Sequence, residues 1–228
     1  MYRICFSIVV TLLLLPAIAA AADAETTGIM VTGSGEVKAQ PDIAYVTLGV
    51  NTQSDDAAKA AKDNAGITNS VIAAVMKAGI AKSDIETTNY SVNPIMDYKK
   101  SPPVTVGYGV SNQIRLTIRN LARVGSIIDI GVKAGANNVQ GVDFSIENDT
   151  TLRGQALVKA IAQAKSKAQA MADAAGVKLG RLVSMSEAGG YAPRPMLAGL
   201  TKSEAAPTPI IPGELTVSAS VTMVYAIL

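Results

Sequence analysis

The sequence predicts an α+β fold in which antiparallel sheets pack against two long helices and one shorter helix. Two observations carry this. Apolar residues take the even positions from Val106 to Ile118, with Asn112 the exception, and the odd positions from Leu215 to Ile227. That period of two belongs to strands with one wet face. Two other stretches carry alanine-rich seams at steps of three and four, each closed by a glycine, which belongs to helices with one buried stripe.

The chain opens with a secretory signal over residues 1–22. Arg3 supplies a short positive region, Ile8 to Leu15 form an apolar run broken only by Thr11, and Pro16 ends it before a stretch of alanines. A retained membrane anchor would need about 20 apolar residues, more than this run offers. Small residues place cleavage after Ala22 or Ala24. Cys5 precedes the apolar run, so it is not a lipoprotein acceptor, and once the leader is cut no cysteine remains.

Residues 23–228 then read as one domain. Strands are expected at Gly28–Val37 and through Ala44, Val46, Leu48 and Val50. The first long helix has Ala58, Ala61, Ala65, Thr68, Ile72 and Val75 as its seam, Ser54 as N-cap, capping carboxylates at Asp55 and Asp56, and Gly79 behind it. A strand over Ile85–Met96 leads through a Pro102-Pro103 loop into the 106–118 strand. A shorter helix from Leu121 to about Ala134 follows, with Asn120 as N-cap, and then a strand over Val139–Ile146. The second long helix places Leu157, Ile161, Ala164, Ala168, Met171 and Ala175 on its seam and ends at Gly176. A strand at Arg181–Glu187 comes next. The prolines of 191–212 make a long loop whose apolar residues favour a contact role, and the final strand starts at Leu215. Each long helix ends in Gly followed by Ile80 or Val177, with a strand beyond, an echo that would suit a duplicated strand–helix–strand unit.

The chemistry is bounded by an absence. There is no histidine, and the single cysteine lies in the leader. Ser-His-Asp and Cys-His catalysis, zinc sites built on His or Cys, His-ligated haem and iron–sulfur clusters are therefore excluded. Carboxylate or lysine chemistry and oxygen-ligated metals survive. Gly33-Ser34-Gly35-Glu36 has neither the third glycine of a dinucleotide fingerprint nor the Gly-Lys-Ser/Thr of a P-loop, so a bulge or a tight strand approach is expected there. Glu147, Asn148 and Asp149 precede the second long helix and read as capping groups rather than a calcium site. Lys159, Lys165 and Lys167 lie off the seam and read as a solvated face. The eight methionines fall mostly at core-like positions, where packing is the expected role.

No catalytic, cofactor-binding or metal-binding residue is singled out, no cofactor is expected, and the chain reads as a non-enzyme. A carboxylate glycosidase is disfavoured by the scarcity of aromatic residues. Of 20 basic and 18 acidic side chains, the leader removes one arginine, leaving 19 against 18 with no basic cluster, so no nucleic-acid partner is expected. An outer-membrane barrel is disfavoured by the long helices and by the ending in Leu228.

With the segments in place, the chain resembles the SIMPL-domain family, the exported group of bacterial periplasmic immunogenic proteins and outer-membrane-associated antigens. The residues that carry this are Val31-Thr32-Gly33-Ser34-Gly35-Glu36-Val37 and Gln40-Pro41-Asp42-Ile43-Ala44 at the front. Towards the back they are Arg153, Ala156, Ala160, Ala164, Lys167, Ala168, Ala172, Ala175-Gly176-Val177, Leu179-Gly180 and Ser186-Glu187. The resemblance implies an α+β fold, residence in the periplasm or at the outer membrane, and a homo-oligomer, ring- or channel-like in some relatives. It also implies a link to oxidative-stress tolerance and brings no catalytic residue. The expected partners are further copies of the chain and the outer membrane or envelope proteins. A monomeric periplasmic binding or chaperone module is the competing reading.

Overall fold

A computed structural model describes residues 28–188 and 210–228, together with the backbone of Arg194–Pro195. The expected leader over 1–22 and most of the 191–212 stretch lie outside the described residues. The α+β class is borne out. In chain order the elements are β1 (Ile29–Ala39), β2 (Ile43–Ser54), α1 (Ala57–Lys77), β3 (Ile85–Asp97), β4 (Val104–Ile118), α2 (Val124–Lys133), β5 (Asn138–Ser145), α3 (Thr150–Ala175), β6 (Leu179–Glu187), β7 (Arg194–Pro195) and β8 (Leu215–Ile227).

The strands form two antiparallel sheets. One runs β1–β8–β6, with β7 also paired to β8; the other runs β3–β4–β2–β5. In both, the strand that follows a long helix lies at a sheet edge. β1 and β8 pair over their full lengths, from Ile29 opposite Tyr225 to Ala39 opposite Leu215. α3 covers the first sheet over Ile29, Val31, Val221, Met223 and Tyr225. α1 and α2 cover the second, over Val46, Leu48, Val50, Ile114, Leu116 and Ile118. Ile210, at the end of the proline-rich stretch, packs against this second core.

Alternation placed the strands well. Ala44, Val46, Leu48 and Val50 are all buried, as are Leu215, Val217, Val221, Met223 and Tyr225. On the even face of β4, Val110, Ile114, Leu116 and Ile118 are buried and Asn112 partly so, but Val106 is exposed. The β3–β4 ribbon pairs as far out as Asp97 opposite Val104, whereas β2 pairs with β4 only as far as Tyr108. The ribbon therefore overhangs its own sheet.

Helix phases needed correction. The buried stripe of α1 is Ala60, Asn64, Thr68, Val71 and Val75, while Ala58 and Ala65 face solvent. Its N-cap is Asp56, whose Oδ1 accepts from the Lys59 N–H at 2.7 Å, and not Ser54. Ser54 instead donates to Asp55 Oδ1 at 2.9 Å, which holds that carboxyl below its usual range. Gly79 follows the helix at a φ of 99°, a conformation that glycine alone adopts freely. The stripe of α3 is Ala156, Ala160, Ala164, Ala168 and Ala172, a strict step of four. Leu157 and Ile161 flank it, and Met171 and Ala175 are exposed. The short helix starts as a 3-10 turn over Leu121–Arg123, and Asn120 makes no side-chain cap bond.

Candidate functional site

The Gly33-Ser34-Gly35 segment is a helix-docking site. A Cβ on Gly33 would collide with the Ala160 carbonyl, and one on Gly35 with that of Ala156. The helix can lie this close because both sides of the contact are stripped to Gly and Ala. Repeats then match: two strand residues advance about 6.6 Å, and four helix residues about 6.0 Å. Gly33 and Gly35 thus face successive alanines of the step-four stripe. The tight approach expected from the sequence is present, made to a helix.

The same matching serves the outer edge of β1. Lys159 Nζ donates to the Glu36 carbonyl at 2.9 Å, and Lys167 Nζ to the Thr32 carbonyl at 2.9 Å. Between them Gln163 Oε1 accepts from the Ser34 N–H at 2.8 Å. Three side chains at steps of four on α3 thus occupy backbone groups at every second residue of an edge strand, which would otherwise be free to pair with another chain. Lys159, Lys165 and Lys167 are all exposed, as expected of a solvated face, and Lys159 and Lys167 act there as edge caps.

A charged network lies at one end of the second sheet. Arg119 forks onto Glu147, with Nη2 to Oε1 at 2.6 Å and Nε to Oε2 at 3.0 Å, and its Nη1 reaches Asp84 Oδ2 at 2.7 Å. The hydrogen bonds from Arg119 hold the Glu147 carboxyl below the usual carboxylate range; those with Glu147, then Asp84, raise the guanidinium. Asp42 joins in, accepting from the Glu147 N–H at 2.8 Å. Arg119 and Glu147 are half exposed, so the pair contributes little stability and chiefly fixes the corner where α3 begins. Glu147 is thus spent on Arg119 and does not cap. Asn148 Oδ1 accepts from the Thr150 N–H at 3.2 Å, and Asp149 pairs with Arg153 at 2.8 Å. A cleft of about 250 Å³ beside this network is lined by Asp84, Arg119, Asn120, Arg123 and Ile127. Thr117 also lines it, and the Asp84 carboxylate there is taken up by Arg119. Among the described residues, no three Asp, Glu, His or Cys side chains are grouped as metal ligands would be.

Sequence reasoning missed the buried amides. Asn64, fully buried, donates through Nδ2 to the Val50 carbonyl at 2.8 Å and to that of Val110 at 3.4 Å, tying α1 to β2 and β4. Thr68 Oγ1 lies 3.4 Å from its Oδ1. Asn112, the break in the β4 alternation, carries a buried Oδ1 with no hydrogen-bond partner among the described residues. That break was the one legible signal of a polar layer under α1. The methionines differ from expectation too: Met30, Met76, Met171 and Met185 are exposed, and only Met223 lies in the described core.

What the described surface does offer is open sheet. No described strand pairs with the outer edge of β3, and Tyr90 and Val92 on it are 54% and 41% exposed. Leu182, Val183 and Met185 on β6 are exposed as well. No described helix is long and apolar enough to cross a membrane.

A two-sheet α+β chain with one helix docked on a glycine strand and another on a polar-threaded core defines a recognisable class. The chain belongs to the SIMPL family, described as proteins of unknown function (DUF541), whose model matches residues 29–225. It is 38% identical over 213 residues to the 26 kDa periplasmic immunogenic protein of Brucella melitensis, covering 87% of this chain and 84% of that one. The same figures hold for the protein of that name from Brucella abortus. It is 31% identical over 180 residues to the uncharacterized protein YggE of Escherichia coli K12, covering 78% of this chain and 73% of the relative.

Proposed function

We propose that this chain is a non-enzymatic protein of the periplasm that assembles with copies of itself in the cell envelope. The carrying observation is the distribution of exposed apolar side chains: Tyr90, Val92 and Val106 on one sheet and Leu182 and Met185 on the other lie on strands, where flat surfaces meet. The periplasmic name of the Brucella relatives supports the compartment, and a leader of the kind read at 1–22 would supply the route. Sedimentation velocity of the exported protein at micromolar concentration tests assembly. The expected result is a discrete species several times the monomer mass; a clean monomer overturns the reading in favour of a monomeric binding or chaperone module.

Oxidative-stress tolerance, implied by the family resemblance, belongs to the same proposal. Four exposed thioethers support it, since their conversion to sulfoxide would leave the core intact. Under limiting peroxide, mass spectrometry is expected to find sulfoxide at Met30, Met76, Met171 and Met185 well before Met223. Equal oxidation of Met223 would mean that the protein unfolds first and protects nothing.

A further inference from the structure

We infer that the open edge of β3 is where one copy of this chain pairs with another, antiparallel and centred on Ser91, joining two four-stranded sheets into one. This rests on the self-assembly proposed above and names its surface.

The argument starts from how the protein treats its other edges. The outer edge of β1 is occupied by Lys159, Gln163 and Lys167. Where β5 ends, Asn137 extends the ladder along β2: its Oδ1 accepts from the Asn51 N–H and its Nδ2 donates to the Asn51 carbonyl, both at 2.8 Å. β3, like β5 and β6, has no described strand on its outer edge, and at 13 residues it is longer than those two, which have 8 and 9. Soluble proteins blunt exposed edges with charge. Here Thr87 to Met96 contains no charged residue; Pro94, which has no N–H, and the irregularities against β4 at Thr87/Asn89 and Ile95/Met96 confine the regular open edge to Asn89–Asn93.

The uncharged stretch is also complementary to itself. In an antiparallel pair about a two-fold axis, residues whose numbers sum to the same value stand opposite on one face. Centring on Ser91 sets Tyr90 against the partner's Val92, and Val92 against the partner's Tyr90, on the face that carries Val110 and α1. Aromatic against β-branched is a favourable cross-strand pair. The opposite face sets Asn89 against the partner's Asn93, amide on amide. Glu86 and Asp97 lie outside this regular stretch, so no like charges oppose each other within it. Val106, 54% exposed on the overhanging ribbon, widens the same apolar strip. A second copy matches the Tyr90–Val92 and Asn89–Asn93 pairs together, while Pro94 opposite the partner's Thr88 offers no donor, so the joining ladder is carried by Tyr90 and Val92.

Two variants test this in the exported protein. Val92→Lys puts a charge on an exposed edge position without touching the core. It is expected to lower the sedimenting mass at least twofold at unchanged circular dichroism, while Val158→Lys on the exposed side of α3 leaves the mass as it is. Ser91→Cys, with Cys5→Ser so that no other thiol is present, is expected to give a disulfide-linked dimer under mild oxidation, because facing strand positions bring Cβ atoms within bonding reach. An assembled Val92→Lys protein and a Ser91→Cys chain that stays monomeric on denaturing gels would overturn the β3 interface and leave self-assembly standing on another surface. A wild-type chain that sediments as a monomer would overturn both. If Val92→Lys fails to fold, the Ser91→Cys result decides alone.

Discussion

Asn64 shows what a single side chain does in this fold. With Thr68 it is one of two polar residues in the buried stripe, and its amide holds two carbonyls from neighbouring strands against α1. Asn64→Ala removes the donor and leaves the Val50 carbonyl short of a partner in a site that water does not reach. A loss of about 1–3 kcal/mol is expected, measured by urea unfolding; a change under about 0.5 kcal/mol would show that the amide does not hold this contact. The same residue explains why the phase of α1 could not be read. Counting apolar positions selects Ala58, Ala61 and Ala65, since an asparagine scores as solvent-facing. The rotation became visible only once the carbonyls that satisfy it were in place. Asn112 was different, because it interrupted an alternation that ran without fault on both sides of it.

At the scale of elements, strands were legible and helix orientation was not. A strand half buried in a sheet repeats every two residues, and that pattern survives an error of one position at either end. A helix of alanines offers many nearly equivalent stripes. On α3 the larger Leu157 and Ile161 drew the seam toward themselves, yet glycines on β1 had made the close contact available to alanine alone. Nothing within the helix records this. The information sits in Gly33 and Gly35, far away in the chain, and two of the segments that carry the family resemblance turn out to be the two halves of one contact. The edge caps invite a direct test. Lys159→Ala with Lys167→Ala leaves two carbonyls to water at an exposed edge, so stability should fall by less than about 1 kcal/mol. Aggregation is expected to rise instead, seen as light scattering that begins several degrees earlier on heating and deepens with protein concentration. Scattering identical to wild type would mean that the edge is guarded by other means. Lysines at both ends and a shorter glutamine between suit the slight mismatch of the two repeats, since the longer side chains absorb the drift.

For the whole molecule, the fold explains why two folding units are threaded by one chain. β2 to β5 with α1 and α2 form a nearly contiguous unit, whereas the first sheet draws β1 from the beginning and β6 and β8 from the end. The open edge of β3 belongs to the contiguous unit. One consequence concerns the order of closure. β8 lies between β1 and β6, and it follows every other described strand in the chain. Until it is in place, β1 has no neighbour and the alanine stripe of α3 has only half a floor. Such long-range closure is slow in any chain. The half of the molecule built on β1 therefore waits for a strand from the far side of the other sheet, while β2 to β5 can close on near neighbours.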